Sequence, residues 1–338
     1  MTSCTTCSTV EAIRLASALL GEPVELALPV AGGGNNRLFR VQGRAQKSYA
    51  LKFYPRQEQD PRDRLGQEFA FLRFLHQQGV TGVPAALAMD PKNGCALYDW
   101  IDGVMIQAPG AGEMEAMLHF LERLHVWRHV PAAQQLVAAS DSCFSPQAAV
   151  SQLGHRLARC REVAATEPAL QTFLDEEFTP VSRQVLLLAR QIPGYAQPLP
   201  LSARTLSPSD FGWHNALRRA DGEVIFLDFE YAGWDDPVKL VADVLWHPGM
   251  DLPESLARQF LEGAKKIYDT SGAGGFGRRF DRLQPVFGLI WCLILLNEFL
   301  PERWQRRVLA GRTDAREEVL ARQLSRARQR LERILDKS

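Results

Sequence analysis

A chain of 338 residues with 46% hydrophobic and 23% charged content is globular, and long enough for two lobes with a sizeable core. Lysine plus arginine and aspartate plus glutamate each total 39, a net charge of +0, so the basic excess that marks nucleic-acid and membrane-surface proteins is missing. Of six cysteines, at 4, 7, 95, 143, 160 and 292, only Cys4 and Cys7 lie close together; with no second Cys or His pair at ligand spacing, a zinc site is not expected.

The first eight residues are polar and lack the charged start and apolar core of a secretion signal. The longest apolar run, residues 287–296, falls short of the roughly 20 residues that span a bilayer. A soluble cytoplasmic protein is expected, with reduced thiols, no nucleic-acid partner and no membrane insertion. Residues 11–20 predict a short helix, with Ile13, Ala16, Leu19 and Leu20 on one face. Residues 24–30 alternate like a strand and 37–41 form a second. Between them lie Gly32, Gly33, Gly34 and Asn35, where glycines let backbone N–H groups approach a polyanion without Cβ interference. A nucleotide phosphate cover and an ordinary flexible hairpin both fit this stretch.

Residues 48–55 predict a third strand. Alternation puts Lys52 on the face opposite Leu51 and Phe53, where it could reach phosphates as a point charge or stand solvated. Leu65, Phe69, Leu72 and Leu75 mark a helix within 61–78, and Glu68 beside that apolar face is able to pair with Lys52. Val83 and Pro84 begin a connection. Residues 95–103 predict an edge strand ending in a turn at Asp102-Gly103; backbone groups near Asp99, Trp100 and Ile101 are candidates to meet an adenine edge.

From Gly112 the chain becomes mostly helical, with Met117, Phe120, Leu121 and Leu124 as one stripe. A long connection is expected over 131–147, helices around 148–163 and 169–190, and a break at Ile192-Pro193-Gly194. Further helices are expected at 239–246, 253–268 and 283–299, with a flexible break at 272–277. The last, over 313–336, carries a narrow seam of Leu320, Leu324, Ala327, Leu331 and Leu335 that suits docking on its own domain.

The chain is organised around residues 207–230, whose polar members suit either catalysis or turns and caps. Asp210 and Asn215 stand in an Asp-x-x-x-x-Asn loop, and the apolar run from Val224 ends on Asp228. Ala220-Asp221-Gly222-Glu223 is the turn that folds these halves into a hairpin. Phosphoryl transfer to a hydroxyl needs a carboxylate near the nucleophile and hard oxygen ligands for Mg²⁺ bridging the phosphates. Asp210 can accept from the attacking hydroxyl, while Asn215 and Asp228 offer oxygens to the metal. Protein kinases use the same spacing in their catalytic loop.

In this order the parts resemble the aminoglycoside phosphotransferase and choline kinase superfamily. The resemblance covers about residues 24–300 and is carried best by Ser207-Pro208-Ser209-Asp210-Phe211-Gly212-Trp213-His214-Asn215 and Leu227-Asp228-Phe229-Glu230-Tyr231-Ala232. It implies an α+β, protein-kinase-like two-lobe fold with a small antiparallel-sheet N-lobe and a mainly helical C-lobe. Residues 1–98 would form the nucleotide-binding lobe, 99–104 the hinge and 105–338 the lobe with the catalytic loop and acceptor site. It also implies ATP, in some members GTP, with Mg²⁺, and γ-phosphate transfer to a small-molecule hydroxyl. Asp210 would be the base, Asn215 and Asp228 the metal ligands, and Lys52, paired with Glu68, the holder of the α/β-phosphates. One departure stands out: the family usually has His two positions before the catalytic Asp, and here that residue is Pro208, whose fixed φ is a substitute brace.

Asp228 is followed closely by Asp235-Asp236-Pro237, without the long activation segment of a protein kinase, so a small acceptor fits better than a peptide. Asp235, Asp236 and Glu298 are candidate contacts for an amine-bearing sugar, and Tyr231, Trp234, Trp246 and Trp291 are candidates to cage a quaternary ammonium. Core packing and helix capping are the alternatives for the same residues. A neutral sugar needs neither feature. The rival from another class is a kinase-fold nucleotide-binding or scaffold protein without turnover.

Overall fold

A computed structural model describes residues 8–30, 36–54, 62–269, 275–309 and 313–336. The glycines at 32–34 and Asn35 therefore lie outside the described residues, as do Cys4 and Cys7. The chain divides into two compact units, one of residues 1–140 with 206–234 and one of 141–205 with 235–338.

The first unit opens with α1 (Thr9–Leu20), whose first turn is capped by the Ser8 hydroxyl accepting from the Glu11 N–H and whose end is Gly21 at φ 70°. Then come β1 (Leu26–Val30), β2 (Arg37–Gln42), β3 (Ser48–Phe53), α2 (Arg64–Gln77), β4 (Ala86–Asp90) and β5 (Cys95–Asp99). The five strands form one antiparallel sheet in the order β1-β2-β3-β5-β4. Residues 95–99 are thus an inner strand, not the expected edge. Cys95, Ala96, Leu97 and Tyr98 are all buried, which suits a strand covered on both faces. The edges are β1 and β4, and β4 lies within the connection expected to begin at Val83-Pro84; its alternating exposure leaves Leu87 and Met89 half-open. One face of the sheet packs on α1 through Ala12, Leu15, Ala16, Phe39, Val41, Leu51 and Leu97.

The unit continues with β6 (Val104–Met105) and α3 (Ala111–Trp127), then re-enters with β7 (Thr205–Ser207), β8 (Ala216–Arg218), β9 (Val224–Phe226) and β10 (Gly233–Asp235). Strands β8 and β9 are the expected hairpin, with β6 added to its edge. Gly222 closes the turn at φ 89°, the Arg219 N–H donates to the Glu223 carbonyl, and the Glu223 N–H donates to Asp221 Oδ1. Phe120 on α3 lies against Phe211 and Phe226, with centroids 5.7 and 4.8 Å away, and 6.1 Å from Phe229. Phe71 on α2 stacks on Phe229 at 5.7 Å.

The second unit is helical: α4 (Pro146–Ala164), α5 (Pro168–Thr172), α6 (Thr179–Arg190), α7 (Pro237–Trp246), α8 (Glu254–Tyr268), α9 (Phe276–Leu295), α10 (Pro301–Leu309) and α11 (Arg316–Leu335). One π-helical turn, Phe173–Phe178, joins α5 to α6. Helix α9 is the axis, packing on α4, α6, α7 and α11. It begins at Phe276, well before the expected 283. With the turn that follows, Phe276–Phe299 is 24 residues, long and apolar enough by composition to cross a membrane. Most of that length is buried among the neighbouring helices, as in a core helix. At Gly288 a Cβ would lie 2.9 Å from the Trp246 ring, so glycine permits the α7–α9 approach. On α11 the buried seam is Leu320, Leu324, Ala327, Leu331 and Ile334; Leu335 is exposed, because the helical repeat turns it outward.

Candidate active site

The sequence-predicted residues Lys52, Glu68, Asp210, Asn215 and Asp228 all belong to the first unit. Register places Lys52 opposite Leu38 on β2 and Ala96 on β5, in the middle of the sheet. Its Nζ donates to Glu68 Oε2 at 2.7 Å and to Asp228 Oδ1 at 2.5 Å. Glu68 is buried on α2, and its other oxygen accepts the Phe229 N–H at 3.2 Å. One carboxylate therefore ties the strand lysine to the backbone beside Asp228. Burial opposes the Lys52 ammonium, but the charges of Glu68, Asp228 and Glu230 outweigh it and hold its pKa above the ordinary lysine value. Burial raises the Glu68 pKa, and the Lys52 charge works against that rise.

Five further residues brace this centre. Tyr54, two past Lys52 and on the same strand face, donates to Glu68 Oε2 at 2.7 Å and shares a 2.6 Å hydrogen bond with Tyr98. Glu230, two past Asp228, is buried; it accepts from Asn36 Nδ2 at 2.6 Å and faces Arg64 at 3.7 Å. Asn36 directly follows the glycine-rich stretch. Glu68, Asp228 and Glu230 offer oxygens within 4.8 Å of one another, a cluster balanced by Lys52 and Arg64.

The loop after β7 carries Asp210. The Ser209 N–H donates to Ser207 Oγ at 3.0 Å, with Ser209 held at φ 69°, a strained value for a residue other than glycine. A single tight turn over Trp213–Asn215 brings the loop back on itself. Asn215 Nδ2 donates to the Asp210 carbonyl at 2.9 Å, and the Asn215 carbonyl accepts the Leu227 N–H at 2.8 Å. That last bond couples the loop to the residue before Asp228, which itself sits at φ 65°, a conformation aspartate tolerates. His214 Nε2 lies 3.0 Å from Asp210 Oδ1.

Residues 27–273 match the family model described as the phosphotransferase enzyme family. The chain belongs to this family. It is a phosphotransferase with an alcohol group as acceptor, in the aminoglycoside phosphotransferase and choline kinase superfamily, and its fold is α+β and protein-kinase-like. Among solved structures it is similar to a spectinomycin phosphotransferase in complex with ADP and spectinomycin, at 14% identity and TM-score 0.62 over 99% of this chain and 100% of that one. The choline kinase of Streptococcus pneumoniae matches at 14% identity and TM-score 0.56, over 96% and 99% of the two chains. The ethanolamine kinase of Plasmodium vivax matches at 13% and 0.55, over 93% and 83%. A comparison with curated proteins finds no match.

Other members of the sequence-predicted site are less available in this phosphotransferase. The Asp99 N–H donates to the Ala85 carbonyl at 3.0 Å, so that amide is engaged within the sheet. The Trp100 indole donates to Asp102 Oδ1 at 2.8 Å and lies under the Arg40 guanidinium; Ile101 is half-buried. Trp234, Asp235 and Asp236 are buried and hydrogen-bonded within the protein. The Trp234 indole donates to the Ala133 carbonyl. Asp235 Oδ1 accepts from the Cys143 and Asp236 N–H groups, and its other oxygen lies 3.4 Å from Lys239 Nζ. Asp236 caps α7 through the Val238 N–H and pairs with Arg279. Burial pushes the Asp235 carboxyl up to about 6, Lys239 notwithstanding.

Asn36, Tyr54, Arg64, Tyr98, His214 and Glu230 escaped the sequence reading as site members. Two carried a readable signal: Tyr54 and Glu230 each stand two residues beyond a predicted site residue. Arg64 and Asn36 reach Glu230 only through the tertiary fold, which no local pattern encodes.

Proposed function

We propose that this protein transfers the γ-phosphate of ATP, or of GTP, to a hydroxyl of a small molecule, with Mg²⁺ held by Asn215 and Asp228 and with Asp210 as the base. One junction supports this most: Lys52 bonded at once to Glu68 and Asp228, next to a loop in which Asn215 grips the Asp210 backbone. Lys52 is then poised for the α/β-phosphates, with Glu68 fixing its direction.

The donor set suits a hard cation. Asn215 directs its amide nitrogen to Asp210, which orients its Oδ1 as the remaining donor, and Asp228 is a carboxylate with only one oxygen on Lys52. When bound, Mg²⁺ would neutralise charge on the phosphate oxygens. Asp210 orients the acceptor hydroxyl and takes its proton as the new O–P bond forms; the bond between the γ-phosphorus and the ADP oxygen breaks. Spectinomycin, choline and ethanolamine, named for the similar structures, define the acceptor classes to try first. Four buried cysteines outside any disulfide among the described residues support a reducing, cytoplasmic setting.

ADP release with Mg·ATP over spectinomycin, choline, ethanolamine and simple sugars tests the reading. Turnover with at least one is expected. Titration calorimetry should show ATP binding that depends on Mg²⁺ in the parent and loses that dependence in Asp228→Ala. Tight ATP binding with no turnover on any acceptor would favour a nucleotide-binding scaffold instead.

A further inference from the structure

Two bonds hold Asp210 to the turn that follows it. Its backbone carbonyl accepts from Asn215, and its carboxylate Oδ1 meets His214 Nε2 at 3.0 Å. An ionised carboxylate only accepts, so Nε2 carries the hydrogen and donates it. The turn Trp213–Asn215 makes this possible: one tight turn after Asp210 brings the residue four positions on back beside the carboxylate. Both side chains are partly open, His214 at 27% and Asp210 at 37% exposure. A carboxylate that open rotates easily about its last torsion unless something holds it.

We infer that His214 is the positioning residue of the base. It rests on the phosphotransfer reading above. By engaging Oδ1 the imidazole fixes the plane of the carboxylate that takes the acceptor proton. Pro208, two residues before Asp210, has no polar side-chain atom with which to do this. Ser207 Oγ, the nearest upstream polar group with a bond in the loop, is engaged by the Ser209 N–H. His214 supplies a side-chain brace from downstream of the base. His214 differs from a core histidine in being part-open, so its loss removes orientation more than packing.

The test is a double-mutant cycle on Asp210 and His214. ADP release from Mg·ATP is followed with water, spectinomycin, choline and ethanolamine as acceptors, alongside the ATP Kd and the melting temperature. His214→Ala should lower kcat about 100-fold, the scale of a misplaced reacting group, with ATP Kd and melting temperature unchanged. His214→Gln, whose amide nitrogen reaches the Nε2 position, should recover most of that loss. In an Asp210→Asn background, His214→Ala should have no further effect. A fall in melting temperature that accounts for lost activity in both His214 variants, a parent-like kcat for His214→Ala, or additive losses in the cycle would each overturn the role while the parent still turns over. A parent that releases no ADP with any acceptor would overturn the phosphotransfer reading, and this role with it.

Discussion

Lys52 bonds to two carboxylates at once, and those partners make it sensitive to change. Glu68 is buried and serves Lys52, Tyr54 and the Phe229 N–H together. Removing one partner of a buried ion pair leaves the other poorly compensated, at a cost of about 3–5 kcal/mol. Glu68→Ala should lose stability on that scale in urea titrations and raise the KM for nucleotide, since Lys52 would then lean on Asp228 alone. Unchanged KM would mean that Glu68 supports the fold without orienting Lys52. Lys52, Glu68 and Asp228 were legible because charged residues at defined places on a strand, a helix and a strand end stand out against apolar neighbours. The acceptor candidates Trp234, Asp235 and Asp236 stand out for the same reason, yet a buried cap and a buried ion pair also put acids beside aromatics in sequence. Only their burial separates the two.

Among elements, α3 does what its stripe suggested and more. Phe120 belongs to the expected apolar face, but its contacts with Phe211, Phe226 and Phe229 make it the common support of the Asp210 loop and the Asp228 strand. Phe120→Ala should cost about 3–5 kcal/mol through the cavity it leaves, read as a lower urea midpoint, and should lower kcat as both supports loosen. The same helix carries His125, buried, with its pKa brought down to about 3 by burial first and then by the charges of Arg128 and His129. Between about pH 6.5 and pH 3 the unfolded chain takes up a proton there that the folded protein refuses, so stability falls as pH falls through that window. His125→Gln should flatten that part of a urea-midpoint-against-pH curve; an unchanged slope would assign the acid sensitivity elsewhere. Helices with clear stripes were legible in the sequence, as was the turn at Gly222. Strand order was not: β5 looked like an edge because its neighbour β4 has a weak alternating pattern, and pairing partners are set by long-range contacts. The start of α9 was hidden by Gly277, which is tolerated inside the helix, and by the charged residues of its first turns.

At the scale of the molecule, every residue proposed to touch nucleotide or metal lies in the unit of residues 1–140 and 206–234, although the chain leaves that unit for 65 residues, 141–205, between Lys52 and Asp210. Hydrogen exchange with and without Mg·ADP should accordingly show new protection in 37–53, 64–77 and 210–229. Protection gained mainly in α4 to α6 would place the nucleotide elsewhere. The family and its fold were readable from motif order, since each motif needs its own local structure. The acceptor was not, because the residues that recognise it are drawn from loops and helix faces with no fixed spacing. The most direct check is transfer of labelled γ-phosphate from Mg·ATP to the best acceptor by the parent and by Asp210→Ala, at saturating nucleotide. Loss of nearly all transfer, at least 100-fold on the scale general-base catalysis contributes, with ATP affinity retained, is the predicted result. Equal transfer by the two proteins would contradict the account.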